Sequence, residues 1–208
     1  MNDENRVPPE NQNSESSSLP DLTTASVLSG IVWVALGAVL IFFFHEQSFT
    51  ELFQKGQSIL LQLFWGVLFG VIFGLAGWAM FKNPQLKKVL DDYSIIKMVK
   101  EFDLSNFQIF HISLVAGITE EFLFRAAIQP LIGIWLTSLL FIGIHGYIKL
   151  RTPVHLLFTM FTFLLSMMLG YLFIYLGIFA AMAAHAVYDM IVLWVVINSS
   201  SLEADVSR

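Results

Sequence analysis

The chain has no cysteine in 208 residues, which removes disulfides, thiolate nucleophiles and cysteine-ligated metals at one stroke. Charge is scarce as well. Asp, Glu, Lys and Arg together make up 13% of the residues, well short of the quarter that is usual for soluble domains. The 11 basic residues form no stripe, so nucleic acid is not expected as a partner. The net charge of −5 comes partly from acidic residues near the two ends, among them Asp3, Glu4, Glu10, Glu203 and Asp205, and says little about partners. No inverted repeat stands out along the chain, which counts against a transporter. Apolar content fills the gap left by charge: 56% of the residues are hydrophobic, with 20 Phe and 5 Trp, and the mean hydropathy is +0.71. This composition describes an integral membrane protein whose aromatic residues suit lipid contact and interfacial anchoring.

Residues 1–22 are rich in Ser, Asn, Pro and Glu and cannot bury a core, so they are expected as a disordered polar tail. Their acidic start is unlike a secretory signal. Apolar helical runs follow at 24–44, 58–81, 105–130, 133–147, 153–175 and 177–197, about six membrane helices in an all-α polytopic bundle over residues 23–197. Residues 45–57 read as a polar turn, and 198–208 as a polar tail. In the second run Gly66, Gly70 and Gly74 recur every four residues, a smooth stripe for close helix approach, either within the bundle or between copies in a homo-oligomer. Residues 82–103 hold Lys82, Lys87, Lys88, Lys97 and Lys100, open on Asn83-Pro84, and space Leu86, Val89, Leu90, Tyr93, Ile96 and Val99 at helical intervals. This pattern predicts a short amphipathic helix on the cytoplasmic membrane surface. With the amino terminus inside, Arg6, these five lysines, Lys149, Arg151 and Arg208 all fall on the cytoplasmic side, leaving Lys55 outside. Both termini are therefore expected in the cytoplasm.

The third run contains Glu120, Glu121 and Arg125, and ionisable groups at bilayer depth mark a site or a buried ion pair. Glu121 and Arg125 are four residues apart and share a helical face. Glu120 lies about 100° round the helix and lacks that partner, which makes it the candidate reacting group. The third and fourth runs form a hairpin turning near residues 131–133, and Glu120 and His145 are each about a dozen residues, or roughly 18 Å, from that turn. His185, about nine residues from the next turn, comes to a similar depth, and Asp189 shares its helical face. His45 and His155 are expected at interfaces, and His111 as a satisfied packing residue.

Three motifs thus stand in order: Glu-Glu-x-x-x-Arg (Glu120, Glu121, Arg125), Phe-x-x-x-His (Phe141, His145) and His-x-x-x-Asp (His185, Asp189). Each lies on its own expected membrane helix, and together they resemble the CPBP family, the CAAX proteases and bacteriocin-processing, Abi-like intramembrane proteases. The resemblance covers roughly residues 107–197, with a protease-like core at 105–197. It implies a helical bundle with a cavity on the cytosolic side and an endopeptidase acting on a peptide or membrane-protein substrate, in a bacterium a peptide precursor or a membrane-anchored segment. Carried over, Glu120 with His145 activates water, Glu121, Arg125 and Phe141 support the site, and His185 with residue 189 holds the developing oxyanion. Family members often carry Asn at this last position. Here it is Asp189, and an ionised carboxylate cannot donate a hydrogen bond. No cofactor is required, although Glu120, His145 and His185 also match a two-His, one-Glu zinc set. A bacteriocin-immunity or scaffold protein of the same fold is the alternative.

Overall fold

The computed structural model describes residues 22–46, 49–90, 92–100, 102 and 104–206. The tail expected over 1–22 lies outside them except for Leu22, where the first helix begins. The helices are α1 (Leu22–Phe44), α2 (Phe49–Gln54), α3 (Ile59–Phe81), α4 (Pro84–Leu90), α5 (Ser94–Lys100), α6 (Asn106–Glu121), a π-helical segment (Phe122–Ile128), α7 (Gln129–Ile144), α8 (Pro153–Tyr175) and α9 (Ile178–Val206). The fold is all-α. Five continuous helical stretches are long and apolar enough to cross a membrane, and one of them, Asn106–Ile144, has 39 residues. That stretch is two of the six expected helices, broken at Gly133, whose φ of 79° and ψ of 167° are non-helical. Glu120 and His145 prove the reversal. On one straight helix they would be about 37 Å apart, yet their side chains approach to 3.3 Å.

Lipid replaces water around this bundle. Phe42, Leu60 and Trp135 are 76%, 81% and 62% exposed, an apolar exterior on a scale that a soluble monomer does not carry. Inside, close helix contacts rest on glycine. A Cβ at Gly66 or Gly70 would lie 2.5 Å or 2.6 Å from the Ala180 or Ala184 carbonyl oxygen of α9. The stripe on α3 is therefore spent on α9. Gly117 does the same for α6, where a Cβ would come 2.7 Å from the Ala186 nitrogen. These two contacts clamp α9 beside α6 at the level of His185.

Helix starts follow local chemistry. Ser105 and Gln108 form a capping box at α6, Thr152 caps α8 ahead of Pro153, and the Asn83 side chain accepts from the Gln85 backbone N–H at 2.9 Å. Three expectations change. The polar turn at 45–57 contains the short helix α2, with Leu52 buried. The expected single amphipathic helix over 82–103 is two short helices, and Leu86, Leu90, Tyr93, Ile96 and Val99 are buried. Tyr93 packs on Phe158 with ring centroids 4.6 Å apart, so this apolar stripe faces α8 and α9 instead of lipid. The last helix does not stop at 197 but runs on through polar residues to Val206, because nothing in Asn198-Ser199-Ser200-Ser201 breaks a helix as Pro or Gly would.

Candidate functional site

Glu120 and Glu121 close α6, and the chain then widens into the π-helical segment, where the Gln129 N–H donates to the Phe124 carbonyl five residues back. Such turns are rare and recur at functional sites. Glu121 and Arg125 are fully buried. Arg125 Nε donates to Glu121 Oε2 at 2.8 Å, one terminal nitrogen donates to Ser166 Oγ at 2.8 Å, and the other reaches Gln129 Oε1 at 3.4 Å. Gln129 in turn donates to the Gly170 carbonyl at 3.1 Å. The second oxygen of Glu121 lies 2.8 Å from His185 Nδ1. One carboxylate thus holds both the arginine of its own helix and the histidine of α9.

Glu120 points the other way, into a cavity of about 390 Å³ that is also lined by His145, His185, Asp189, Tyr147 and Tyr188. Its Oε2 lies 3.3 Å from His145 Nε2, with the two side chains 14% and 15% exposed. The pair lacks the alignment of a hydrogen bond, since that oxygen has no hydrogen-bond partner among the described residues. His145 Nδ1 is 2.7 Å from the Phe141 carbonyl oxygen. A carbonyl only accepts, so Nδ1 carries a proton and Nε2 is left facing Glu120. His185 Nε2 is 3.4 Å from Asp189 Oδ2, which leaves this ring between two carboxylates. Phe141 is buried and wedged among them, its ring 4.4 Å from that of His145, 5.8 Å from that of His185 and 5.6 Å from the Arg125 guanidinium carbon. From this polar end the cavity continues along apolar walls to Ile96 and Val99 of α5 and to Leu22 and Ala25 of α1.

All seven residues singled out in the three motifs therefore meet at one place. The Glu121–His185 bond, which spans 64 residues, and the Ser166 and Gln129 partners of Arg125 were not foreseen. Ser166 and Gln129 are isolated polar residues in apolar runs, which was their only signal. His185 turns to Glu121 and Asp189, and among the described residues no group of three or more His, Asp or Glu is placed to hold a metal ion. The other histidines also differ from expectation in part. His45 Nε2 lies 2.8 Å from the Ala127 carbonyl oxygen. His155, in the first turn of α8, is buried and pairs with Asp92 at 3.1 Å. His111 has a buried Nδ1 without a hydrogen-bond partner among the described residues, so it packs but is not satisfied.

Comparison with known proteins agrees with this arrangement. A family model described as Rce1-like, type II CAAX prenyl endopeptidase Rce1-like, matches residues 103–191, the stretch that holds every motif residue. The chain is 32% identical over 167 residues to the uncharacterized protein YpbD of Bacillus subtilis (strain 168), across 77% of this chain and 82% of that relative. No solved structure matches. Three polar motifs on separate helices, gathered in a cavity and lying within the matched stretch, lead to one assignment: the chain belongs to the CPBP family of intramembrane proteases, within its Rce1-like group.

Proposed function

We propose that this protein is an integral membrane endopeptidase that hydrolyses a peptide bond with water activated by Glu120 and His145. The observation that carries the proposal is the 3.3 Å approach of Glu120 Oε2 to His145 Nε2 at the cavity wall. With Nδ1 protonated, a neutral His145 offers a lone pair there, and an ionised Glu120 offers another. Two acceptors aimed at one spot repel unless a donor lies between them. Water has two O–H bonds, and a molecule that gives one to each group turns its own lone pairs outward, towards a substrate.

The steps balance without a cofactor. The water oxygen adds to the scissile carbonyl carbon while its proton passes to Glu120, and the carbonyl oxygen becomes an oxyanion. Both ring nitrogens of His185 face carboxylates, which only accept, so the ring carries two protons and offers its Nε2 hydrogen to that oxygen. The C–N bond then breaks, and the departing amine takes the proton back from Glu120. Glu121, Arg125 and Phe141 keep these groups in place. The Rce1-like match names a CAAX prenyl endopeptidase, and the apolar walls suit a peptide anchored in the bilayer beside a lipid-bearing cysteine. Both termini and the α5 end of the cavity are assigned to the cytoplasm of a bacterial cell membrane, following the positive-inside distribution of Lys and Arg.

The test uses protein reconstituted in liposomes and a quenched fluorescent peptide with a farnesylated cysteine three residues from its carboxyl terminus. Wild type should cleave it, and Glu120→Ala and Glu120→Gln should lower kcat by about 10² to 10⁴, the usual worth of a positioned acid–base group. Variants as active as wild type would overturn the reading. A host phenotype that survives both substitutions would point instead to an immunity or scaffold role.

A further inference from the structure

The cavity has few groups able to stabilise an oxyanion. Among the described residues no Lys or Arg lines it, since Arg125 is committed to Glu121, Ser166 and Gln129. Asp189, when ionised, only accepts, and both ring nitrogens of His185 already face carboxylates. Among the hydroxyls on the wall, Thr162 donates to the carbonyls of Phe158 and Thr159, and Ser29 donates to the Ser26 carbonyl. Acyl transfer to water loads negative charge on the carbonyl oxygen, and a single N–H of the doubly protonated His185 ring, shared with Asp189, is a poor match for it.

Tyr147 is built for the missing part. It comes two residues after His145, and its backbone is fixed at both ends: its N–H donates to the Ile142 carbonyl at 2.9 Å, and its own carbonyl accepts from Thr159 Oγ1 at 2.7 Å. Its ring stacks on His145 at 5.5 Å and 18° and meets Phe158 edge-on at 5.7 Å, so two neighbouring rings hold the side chain. Although Tyr147 lines the cavity, its hydroxyl makes no hydrogen bond to any described residue. Burial first, then the nearby Tyr188, Asp189 and Glu120, hold this phenol well above its ordinary range, so it keeps its proton at neutral pH. Tyr188 also lines the wall, but its ring turns to Phe161 at 6.4 Å and its edge to Gly77.

We infer that Tyr147 is a catalytic residue whose hydroxyl donates to the oxyanion of the tetrahedral intermediate, the hydrogen bond that Asp189 cannot supply. This rests on the peptidase reading above. Addition of water places the charge on the former carbonyl oxygen, Tyr147 and His185 each give it a hydrogen bond, and neither loses its proton when the C–N bond breaks.

The same liposome assay with the farnesylated quenched peptide tests it. Tyr147→Phe keeps the ring and its stacking, and should lower kcat about 10²-fold, the usual worth of one oxyanion donor, with KM changed less than about threefold. Adding Asp189→Asn supplies an amide N–H₂ at the neighbouring position, and the Tyr147→Phe/Asp189→Asn double variant should recover at least about tenfold of the loss. A Tyr188→Phe variant should stay within about threefold of wild type. Wild-type kcat in Tyr147→Phe, or a loss in Tyr188→Phe instead, would overturn the assignment, as would a Tyr147→Phe defect that Asp189→Asn does not relieve. Loss of activity in Glu120→Ala together with full activity in Tyr147→Phe would sink this inference alone. Cleavage by Glu120→Ala at the wild-type rate would sink the peptidase reading and this inference with it.

Discussion

Arg125 has no exposure to solvent or lipid and spends its guanidinium on Glu121, Ser166 and Gln129. Removing one partner of such a pair leaves a bare charge in an apolar interior, at a cost of about 3–5 kcal/mol, whereas removing both can be close to neutral. Arg125→Met should therefore lower the unfolding temperature in detergent more than the Glu121→Gln/Arg125→Met double variant does. A double variant that is less stable than the single one would show that Glu121 does not depend on its arginine. At this scale the sequence was legible where residues were near neighbours. The i,i+4 spacing separated Glu121 from Glu120, and the structure buries the first and turns the second into the cavity. It was illegible where a bond closes a long loop. Ser166 is 41 residues from Arg125, and no local periodicity reports a pairing set by where α8 docks.

The elements were placed by their glycines and caps. The stripe on α3 meets α9 at Ala184, one residue before His185, so packing there fixes the depth of the imidazole. In Gly70→Ala the new Cβ would face the Ala184 carbonyl oxygen at 2.6 Å, and α9 must move. Overpacking of this kind costs about 1–3 kcal/mol, and the shift should lower both the unfolding temperature and the cleavage rate. Gly143→Ala is the contrast. Its nearest neighbour would be Ile148 Cδ1 at 3.7 Å, and alanine favours a helix over glycine by about 1 kcal/mol, so stability should hold or rise. An unchanged Gly70→Ala would mean that the stripe is slack. The ends of the apolar runs also placed the turn near residues 131–133, and the structure puts it at Gly133, where the backbone takes a conformation nearly confined to glycine. Sequence periodicity gave no hint of the π-helical segment, because a register shift within an apolar helix leaves the hydrophobic pattern intact. The split between α4 and α5 escaped for a related reason: the spacing of Leu90, Tyr93 and Ile96 fits one helix, while the burial of Tyr93 against Phe158 decides for two.

Across the whole molecule, the cavity walls include the start of α1, the first half of α8, the end of α3 and the middle of α9, as alternating passage through a bilayer requires of helices whose cavity opens to one side. Geometry alone does not say which side that is; the orientation proposed above rests on charge. Lys55 follows α2 at one end of the bundle, and Lys82 follows α3 at the other, with its ammonium 3.7 Å from the Trp78 ring. A lysine paired with an aromatic in this way suits the headgroup level. The absence of native cysteine makes the test free of background. In intact bacterial cells a membrane-impermeant maleimide should label Lys55→Cys, and it should reach Lys82→Cys only after permeabilisation. Both positions are exposed, so poor access is not a competing reason for silence. The opposite pattern would put the α5 end of the cavity outside the cell. A peptide made in the cytoplasm would then have no direct route to Glu120, and the substrate would have to be an exported or surface-anchored chain.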